Sequence, residues 1–447
     1  MFDTVLVANR GEIARRVIRT LRRLGVTSVA VYSEADEALP YVAEADHAVL
    51  IGPPAPAQSY LDVDALLGAA RRTGAQAVHP GYGFLAENAA FARRVAQAGM
   101  VWVGPSPEAI ESMGDKVRAR NLMADAGVPV AVGTREPVGS VAGAVEQAAR
   151  IGYPLMVKAS AGGGGIGMAV ARDETELTAA MGVAQGAAAR FFGGSGVLLE
   201  RYVAHARHVE VQILGLADGR IVALGERDCS VQRRHQKVVE ETPSPGVGPD
   251  LRARMLQAAV TAGQAVGYRG VGTVECLVDA DTRAFVFLEM NTRLQVEHPI
   301  TELVTGVDLV ASQLRIAAGE PVDEDPAGIT ASGHAIEVRV YAEDPVRFFP
   351  SPGQITTWEE PVGPGVRVDA GYAQGTTVTP FYDPLLAKVA VWGHDRSEAL
   401  DRARSAVDAF VVAGPRTNLP FLAELLRDPG FVSGEYDTSI VDRMRRR

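Results

Sequence analysis

Residues 158–168 read Lys158-Ala159-Ser160-Ala161-Gly162-Gly163-Gly164-Gly165-Ile166-Gly167-Met168, and what flanks this glycine run decides the fold. Gly162, Gly164 and Gly167 satisfy G-x-G-x-x-G, but a dinucleotide loop needs a helix after it and a P-loop needs a terminal Gly-Lys-Ser/Thr. Neither follows. Tyr153–Ala159 before the run and Met168–Ala171 after it are apolar, strand-like segments. The run therefore reads as strand–loop–strand, a hairpin flap with Gly163, Gly164 and Gly165 at its centre. Backbone N–H groups of such a flap can close over phosphates, with Lys158 on the incoming strand reaching the same anions. A flexible surface hairpin is the alternative that this stretch leaves open.

Towards the N-terminus, Thr4–Asn9 reads as a buried strand, Glu12–Leu24 as a helix closed by Gly25, and Ser28–Ser33 as a second strand. The alternation continues to Val101–Val103. It predicts an open, mostly parallel Rossmann-like sheet over residues 1–113. The first turn, Asn9-Arg10-Gly11-Glu12, lacks the dinucleotide glycines, which argues against a dehydrogenase. A helix over Asp115–Ala126 opens a second unit, 114–325. Within it, about 131–204 forms a smaller mobile lid around the glycine run and about 205–320 forms a larger sheet. The Pro/Asp/Gly-rich stretch 320–333 reads as a linker. The last unit, 334–440, mixes strands (Ala335–Tyr341, Gly365–Val368, Leu386–Trp392) with a helix over Ser397–Val411. The expected fold class is α/β, α+β in part.

Bulk properties agree with several ordinary domains: 447 residues, 47% hydrophobic and 22% charged, exceed one core. No apolar run reaches the length of a membrane span, and Met1-Phe2-Asp3-Thr4 lacks a signal-peptide pattern. Two cysteines, Cys229 and Cys276, fit a reducing compartment. A net charge of −10 argues against general nucleic-acid binding. The expectation is a cytoplasmic protein that binds neither membrane nor nucleic acid. Among 44 basic residues only Lys116, Lys158, Lys237 and Lys388 are lysines. Where arginine supplies nearly all surface charge, these four mark sites that need a compact ammonium. Codon bias is the bland alternative.

Thr273–Val278 and Phe285–Asn291 read as a hairpin around Asp279–Arg283. A register centred on Thr282 puts Glu275 opposite Glu289, with Asn291 on the same face and nothing basic on these strand faces. Facing carboxylates repel unless a cation lies between them, and a small oxygen-ligand set suits Mg²⁺, or Mn²⁺ in its place. Next, Arg293, Gln295 and Glu297 alternate. If extended, this segment aims a cation, an amide and a carboxylate at one point, a combination able to bind a small oxyanion and take its proton. A helix-entry loop with ordinary salt bridges is the competing reading. His298, before Pro299, reads as structural.

With these features in place, the chain closely resembles the biotin carboxylase family of the ATP-grasp superfamily. The resemblance is carried by Val7–Ala14 (VANRGEIA), His79–Asn88 (HPGYGFLAEN), Met113–Lys116 (MGDK), the glycine run, Arg207–Gln212 (RHVEVQ), Glu226–Lys237 (ERDCSVQRRHQK) and Glu289–His298 (EMNTRLQVEH). Tyr341–Pro345 (YAEDP) and Tyr382–Pro384 (YDP) extend it into the last unit. It implies ATP phosphate contacts from Lys116 and Lys158, an adenine hinge at Glu200, Arg201, Tyr202 and Val203, and a nucleotide site lined by His208, Gln232 and His235. Glu275 and Glu289 would hold Mg²⁺, with Asn291 beside them. Lys237, Arg293, Gln295 and Val296 would bind bicarbonate, and Glu297 would deprotonate it. Arg339 would stabilise the enolate-like biotin oxygen, and Tyr82 would flank the ring. The implied reaction makes carboxyphosphate from ATP and bicarbonate and carboxylates biotin on a biotin carboxyl carrier protein. It is the first half-reaction of an acetyl-CoA or acyl-CoA carboxylase, with a carboxyltransferase subunit downstream. A homodimer is the family expectation.

Carboxyphosphate is short-lived in water, so the chemistry requires a lid that excludes solvent. Two departures bear on that lid. The family usually carries Arg or Lys where this chain has Ile166, and often Arg at Ala169; the Lys common after the hinge glutamate is Arg201 here. No Met-Lys-Met biotin-attachment segment occurs before Arg447, so biotin is expected on a separate carrier or on a domain beyond this chain. The alternatives are another ATP-grasp ligase, such as a carbamoyl-phosphate synthetase half, and a catalytically weakened ATP-binding regulatory homologue.

Overall fold

The computed structural model describes residues 1–159, 167–192, 196–234, 236–322 and 328–446, with the side chains of 187–192 left aside. Gly163, Gly164, Gly165, Ile166 and His235 lie outside the described residues.

Val5, Leu6 and Val7 are fully buried, and so belong to a strand covered on both faces. Val5 and Val7 pack in the cluster that holds Ile13, Val17 and Leu21 of the helix Gly11–Arg23; Leu6 packs with Leu66 and Phe91 on the other side. Thr4–Val7 is thus the centre of a five-stranded parallel sheet. The order across it is His47–Gly52, Thr27–Ser33, Thr4–Val7, Ala77–His79 and Val101–Trp102. Strand order reverses at Thr4–Val7, and the crevice at such a reversal is where open α/β sheets bind ligands. Two turns leave it side by side there. Asn9 Nδ2 donates to the carbonyls of Pro80 and Tyr82, both at 2.7 Å. Gly81 (φ +63°) lets the second turn come so close that a Cβ would stand 2.9 Å from that nitrogen. The Asn9 turn therefore fixes the turn that carries Tyr82.

In the lid, Leu155–Ala159 lies between Met168–Ala171 and Val197–Arg201 in an antiparallel three-stranded sheet. The strands on either side of the glycine run are therefore antiparallel neighbours, with Lys158 opposite Met168 and Leu198. Helices Val141–Ile151 and Glu174–Phe192 pack on it, burying Ala144, Ala148, Leu177 and Met181 against Leu155 and Val157.

The largest sheet has eight antiparallel strands in the order Phe285–Asn291, Gly270–Asp279, Ala206–Gly215, Ile221–Arg233, Gln236–Thr242, His334–Tyr341, Leu385–Gly393, Val366–Ala370. The linker-like stretch 320–333 does not divide it: Glu240 pairs in register with Glu337, joining strands from either side. Ala206–Gly215 is buried at every position, although Arg207, His208, Glu210 and Gln212 are polar; Arg207 pairs with Asp228 at 2.7 Å, and the other three share the opposite face. Alternation explains this. Val209, Val211 and Ile213 pack on Leu251, Met255 and Ala259 of the helix Pro249–Ala265. The polar set faces the other way, where burial is tolerable only with partners.

Candidate active site

Across the polar face, Glu289, Glu275, Glu210 and Arg227 stand in one row on four neighbouring strands. Three adjacent carboxylates repel strongly in a buried sheet, so cations must converge on them. Arg227 Nε donates to Glu210 Oε1 at 2.6 Å. Lys237 Nζ, from the strand Gln236–Thr242, donates to Glu210 Oε2 at 2.6 Å, Glu275 Oε1 at 2.9 Å and Glu297 Oε1 at 2.7 Å. His208 Nε2 lies 2.9 Å from Glu275 Oε2. Burial alone pushes Glu275 upwards, but Lys237 and His208 outweigh it and hold the carboxyl well below the usual range. The expected register thus holds at Glu275 and Glu289 and slips by one residue at Cys276, which pairs with Phe287 through a bulge. The neutralising charges come from neighbouring strands, beyond the hairpin that was read alone.

Glu289 differs. Among the described residues it makes no hydrogen bond, and burial followed by the Glu275 charge raises its proton affinity. An unsatisfied carboxylate facing a second one across a strand pair fits a divalent cation. Asn291 Oδ1 accepts from Arg293 Nη2 at 2.8 Å and keeps a second lone pair.

The segment after Asn291 is irregular, with Glu297 at the N-cap of the helix His298–Thr305. Its side chains meet through pairing and not through strand alternation. Arg293 Nη1 donates to Gln295 Oε1 at 3.0 Å, and Gln295 Nε2 to Glu275 Oε1 at 3.0 Å. Glu297, fully buried, is held by Lys237 on one oxygen and by Arg339 Nη2 on the other at 3.0 Å. Burial opposes its ionisation, but Lys237, Arg339 and Arg227 carry it well below the usual carboxylate range. His298 is structural: it is fully buried, and its Nδ1 pairs with the Gln295 carbonyl at 2.8 Å.

All of this forms one wall of a cleft of about 760 Å³. Tyr82, Lys116, Lys158 and Glu200 line the same space, as do His208, Gln232, Lys237, Glu275, Glu289, Asn291, Arg293, Gln295, Val296 and Arg339. Lys158 Nζ pairs with Glu200 Oε2 at 2.5 Å. Burial first, and the like charge of Lys158 among its neighbours, lower the proton affinity of Lys116, which faces Glu289 and Glu200. Gln232 Nε2 meets His208 Nδ1 at 2.7 Å. Glu297 stands just behind the lining. Arg201, Tyr202 and Val203 are not brought to the cleft wall, and the N–H groups of Arg201 and Tyr202 donate to Val132 and Pro154.

Sequence reasoning passed over Glu210, Glu240, Glu337 and Glu87. Glu87 accepts from Arg293 Nε at 2.8 Å. Glu240 pairs with Arg339 Nη2 at 2.6 Å; burial first, with the Glu297 charge adding to it, carries this carboxyl to about 7 despite Arg339. The signal for Glu210 was present: His208, Glu210 and Gln212 alternate with Val209, Val211 and Ile213.

Comparison with known proteins agrees with this geometry. The family model for the biotin carboxylase N-terminal domain matches residues 1–110, that for the ATP-binding domain of the carbamoyl-phosphate synthase L chain matches 115–325, and that for the biotin carboxylase C-terminal domain matches 337–443. A biotin carboxylase of Halalkalibacterium halodurans is 52% identical over 99% of this chain and 97% of its own. The crystal structure of a biotin carboxylase β,γ-ATP complex from Campylobacter jejuni superposes with a TM-score of 0.96 at 40% identity, covering 99% of both chains. The biotin carboxylase domain dimer of Hydrogenobacter thermophilus 2-oxoglutarate carboxylase, in complex with MgADP, ADP and bicarbonate, gives 0.94 at 43% identity, covering 99% of this chain and 98% of that one. Fold and site together define an ATP-dependent ligase of the ATP-grasp class. Within that class, the chain belongs to the biotin carboxylase family.

Proposed function

We propose that this chain carboxylates biotin borne on a biotin carboxyl carrier protein, using ATP and bicarbonate, and that a carboxyltransferase subunit then passes the carboxyl group to its acceptor. The observation that carries the residue-level reading is Lys237, whose ammonium lies within 2.9 Å of carboxylates from three separate elements. It joins the acidic hairpin to the oxyanion segment at one wall of one cleft.

In this reading Lys116 and Lys158 hold the ATP phosphates, and Met168, Leu198, Phe287 and Leu288 offer an apolar wall to the adenine ring. Glu200, His208 and Gln232 line that space and complete the nucleotide site, to which the family resemblance adds His235 and the glycines 163–165; Arg201, Tyr202 and Val203 stand outside its wall. Glu275, Glu289 and Asn291 would hold Mg²⁺, which offsets phosphoryl charge during transfer. Bicarbonate sits among Lys237, Arg293, Gln295 and the Val296 backbone. Its oxygens compete for the donors that hold Glu297 ionised, so the carboxylate recovers proton affinity as the substrate arrives and can take its proton. Deprotonated bicarbonate attacks the γ-phosphoryl group, the bond to ADP breaks and carboxyphosphate forms; the closed lid keeps water from it until it yields CO₂ and phosphate, and that phosphate takes the biotin N1 proton as N1 attacks CO₂. Arg339, freed in part from Glu297, holds the biotin ureido oxygen as negative charge develops there, with Tyr82 beside the ring.

The division into units 1–113, 114–325 and 334–440 belongs to the same reading and is supported by the spans of the three family models. A homodimer is supported by the Hydrogenobacter domain dimer. A cytoplasmic location fits a chain in which no described helix is long and apolar enough to cross a membrane. The test is phosphate release from ATP and Mg²⁺, with bicarbonate and free biotin added separately and together. Release that requires bicarbonate and rises with biotin is expected; release indifferent to bicarbonate would overturn the reading.

A further inference from the structure

Of the four lysines, three line the cleft and the fourth does not. Lys388 lies in the strand Leu385–Gly393 and is 1% exposed. It stands opposite Arg339 on one neighbouring strand and Asp369 on the other. Its Nζ donates to the Val296 carbonyl at 2.8 Å and lies 3.2 Å from Glu12 Oε2. The other Glu12 oxygen accepts the Tyr82 hydroxyl. One buried ammonium thus joins the peptide between Gln295 and Glu297 to the N-terminal turn system that carries Tyr82. The contact is held from behind as well: a Cβ on Gly371 would stand 2.7 Å from the Glu12 backbone nitrogen.

A buried cation is costly, and bulk charge balance could be met by an arginine, which this chain uses almost everywhere else. What an arginine cannot supply here is a compact head that donates to a carbonyl while its charge stands beside a carboxylate within a closed space. We propose that Lys388 is a positioning residue for carboxylation, fixing the Val296–Glu297 peptide, and through it the Glu297 carboxylate, relative to Lys237, Arg339 and Tyr82. This rests on the assignment of Glu297 as the base.

The test compares Lys388→Met, the charge-balanced double variant Lys388→Met/Glu12→Gln, and Glu297→Gln in bicarbonate-dependent ATP cleavage without biotin. The double variant removes an ion pair as a unit and keeps an acceptor for Tyr82, so it folds even where the single variant does not. A misplaced base should lower kcat roughly 10- to 100-fold and raise the KM for bicarbonate, with the KM for ATP held within about twofold, in both Lys388 variants. If Lys388 only balances charge, the double variant regains wild-type kcat and bicarbonate KM, and the proposal is overturned. Equal losses for ATP and bicarbonate would overturn it too, as a general loss of structure. An inactive Glu297→Gln beside a fully active double variant sinks the positioning role alone; an active Glu297→Gln sinks the base assignment beneath it.

Discussion

Replacing Lys237 by methionine removes the one cation shared by Glu210, Glu275 and Glu297. Each carboxylate keeps one basic partner: Arg227 at 2.6 Å, His208 at 2.9 Å and Arg339 at 3.0 Å respectively, and Glu275 also keeps the Gln295 amide at 3.0 Å. Even so, three buried anions then face a neutral methyl group. Deleting one partner of a buried ion pair costs about 3–5 kcal/mol, which for a unit of ~200 residues lowers the Tm by roughly 6–20 °C. The sign of the pH dependence follows from the depressed carboxyls. Burial works against Glu275 and Glu297, and Lys237 is the first charge that overcomes it. In the native protein their stabilisation is therefore complete above the ordinary carboxylate range and is lost only as pH falls through their lowered values. In the variant that leading charge is gone and burial lifts at least one carboxyl, which sheds the penalty by binding a proton. The Tm gap between the two proteins should accordingly narrow as pH falls from 8 to 5, read by circular dichroism melts at matched ionic strength. A gap that stays constant over this range, or one below about 2–4 °C, would refute the electrostatic account. Bicarbonate-dependent ATP cleavage should fall by roughly two to three orders of magnitude, while ATP affinity, resting on Lys116 and Lys158, should change little.

Glu297→Gln should abolish turnover while leaving the KM for ATP within about threefold, and near-native rates would remove Glu297 from the base role. Arg339→Ala should reduce biotin carboxylation more than bicarbonate-dependent ATP cleavage; because Arg339 also touches Glu297, some loss of cleavage is expected, and equal loss of both would contradict its place at biotin. On the sheet face opposite Glu240, Glu241 sits between His334 Nε2 at 2.6 Å and Arg396 Nε at 2.7 Å, and these contacts outweigh burial to hold it at about 2. Its contribution is complete above the ordinary carboxylate range and disappears as pH falls towards 2, so Glu241→Gln should lower the Tm at pH 7 by several degrees and much less at pH 3. Similar losses at both values would refute this.

Much of the fold was legible because periodicity was strong where both faces of an element are buried. Thr4–Val7, the helix Gly11–Arg23 and the glycine hairpin fall within a residue or two of their expected places. The Glu275–Glu289 pairing was legible because a hairpin is local and its register follows from its turn. What one hairpin could not reveal is what lies beside it. Glu210 and Lys237 reach Glu275 from the next strand and from another further across the sheet, and no local spacing encodes that adjacency. The continuity of the sheet across 320–333 was hidden for the same reason, since the pairing of Glu240 with Glu337 spans a segment that reads as a linker. Arg293 and Gln295 meet by a hydrogen bond in an irregular segment, and Gln295 reaches Glu275; Glu297 is tied to that group through Lys237, which also holds Glu275.

That continuity bears on how such a site can work. The acidic hairpin, Lys237 and Arg339 sit on strands of one antiparallel sheet, hydrogen-bonded edge to edge, so their separations cannot change without breaking a ladder. Among the described residues the lid has its own three-stranded sheet and its own core, and shares no strand with the five- and eight-stranded sheets. Under the proposed function, motion that admits and covers ATP is thus free of the geometry that joins Glu297, Lys237 and Arg339. A rigid constellation carries the reacting groups, and an independent piece controls the water; this is the division that a short-lived acyl phosphate demands.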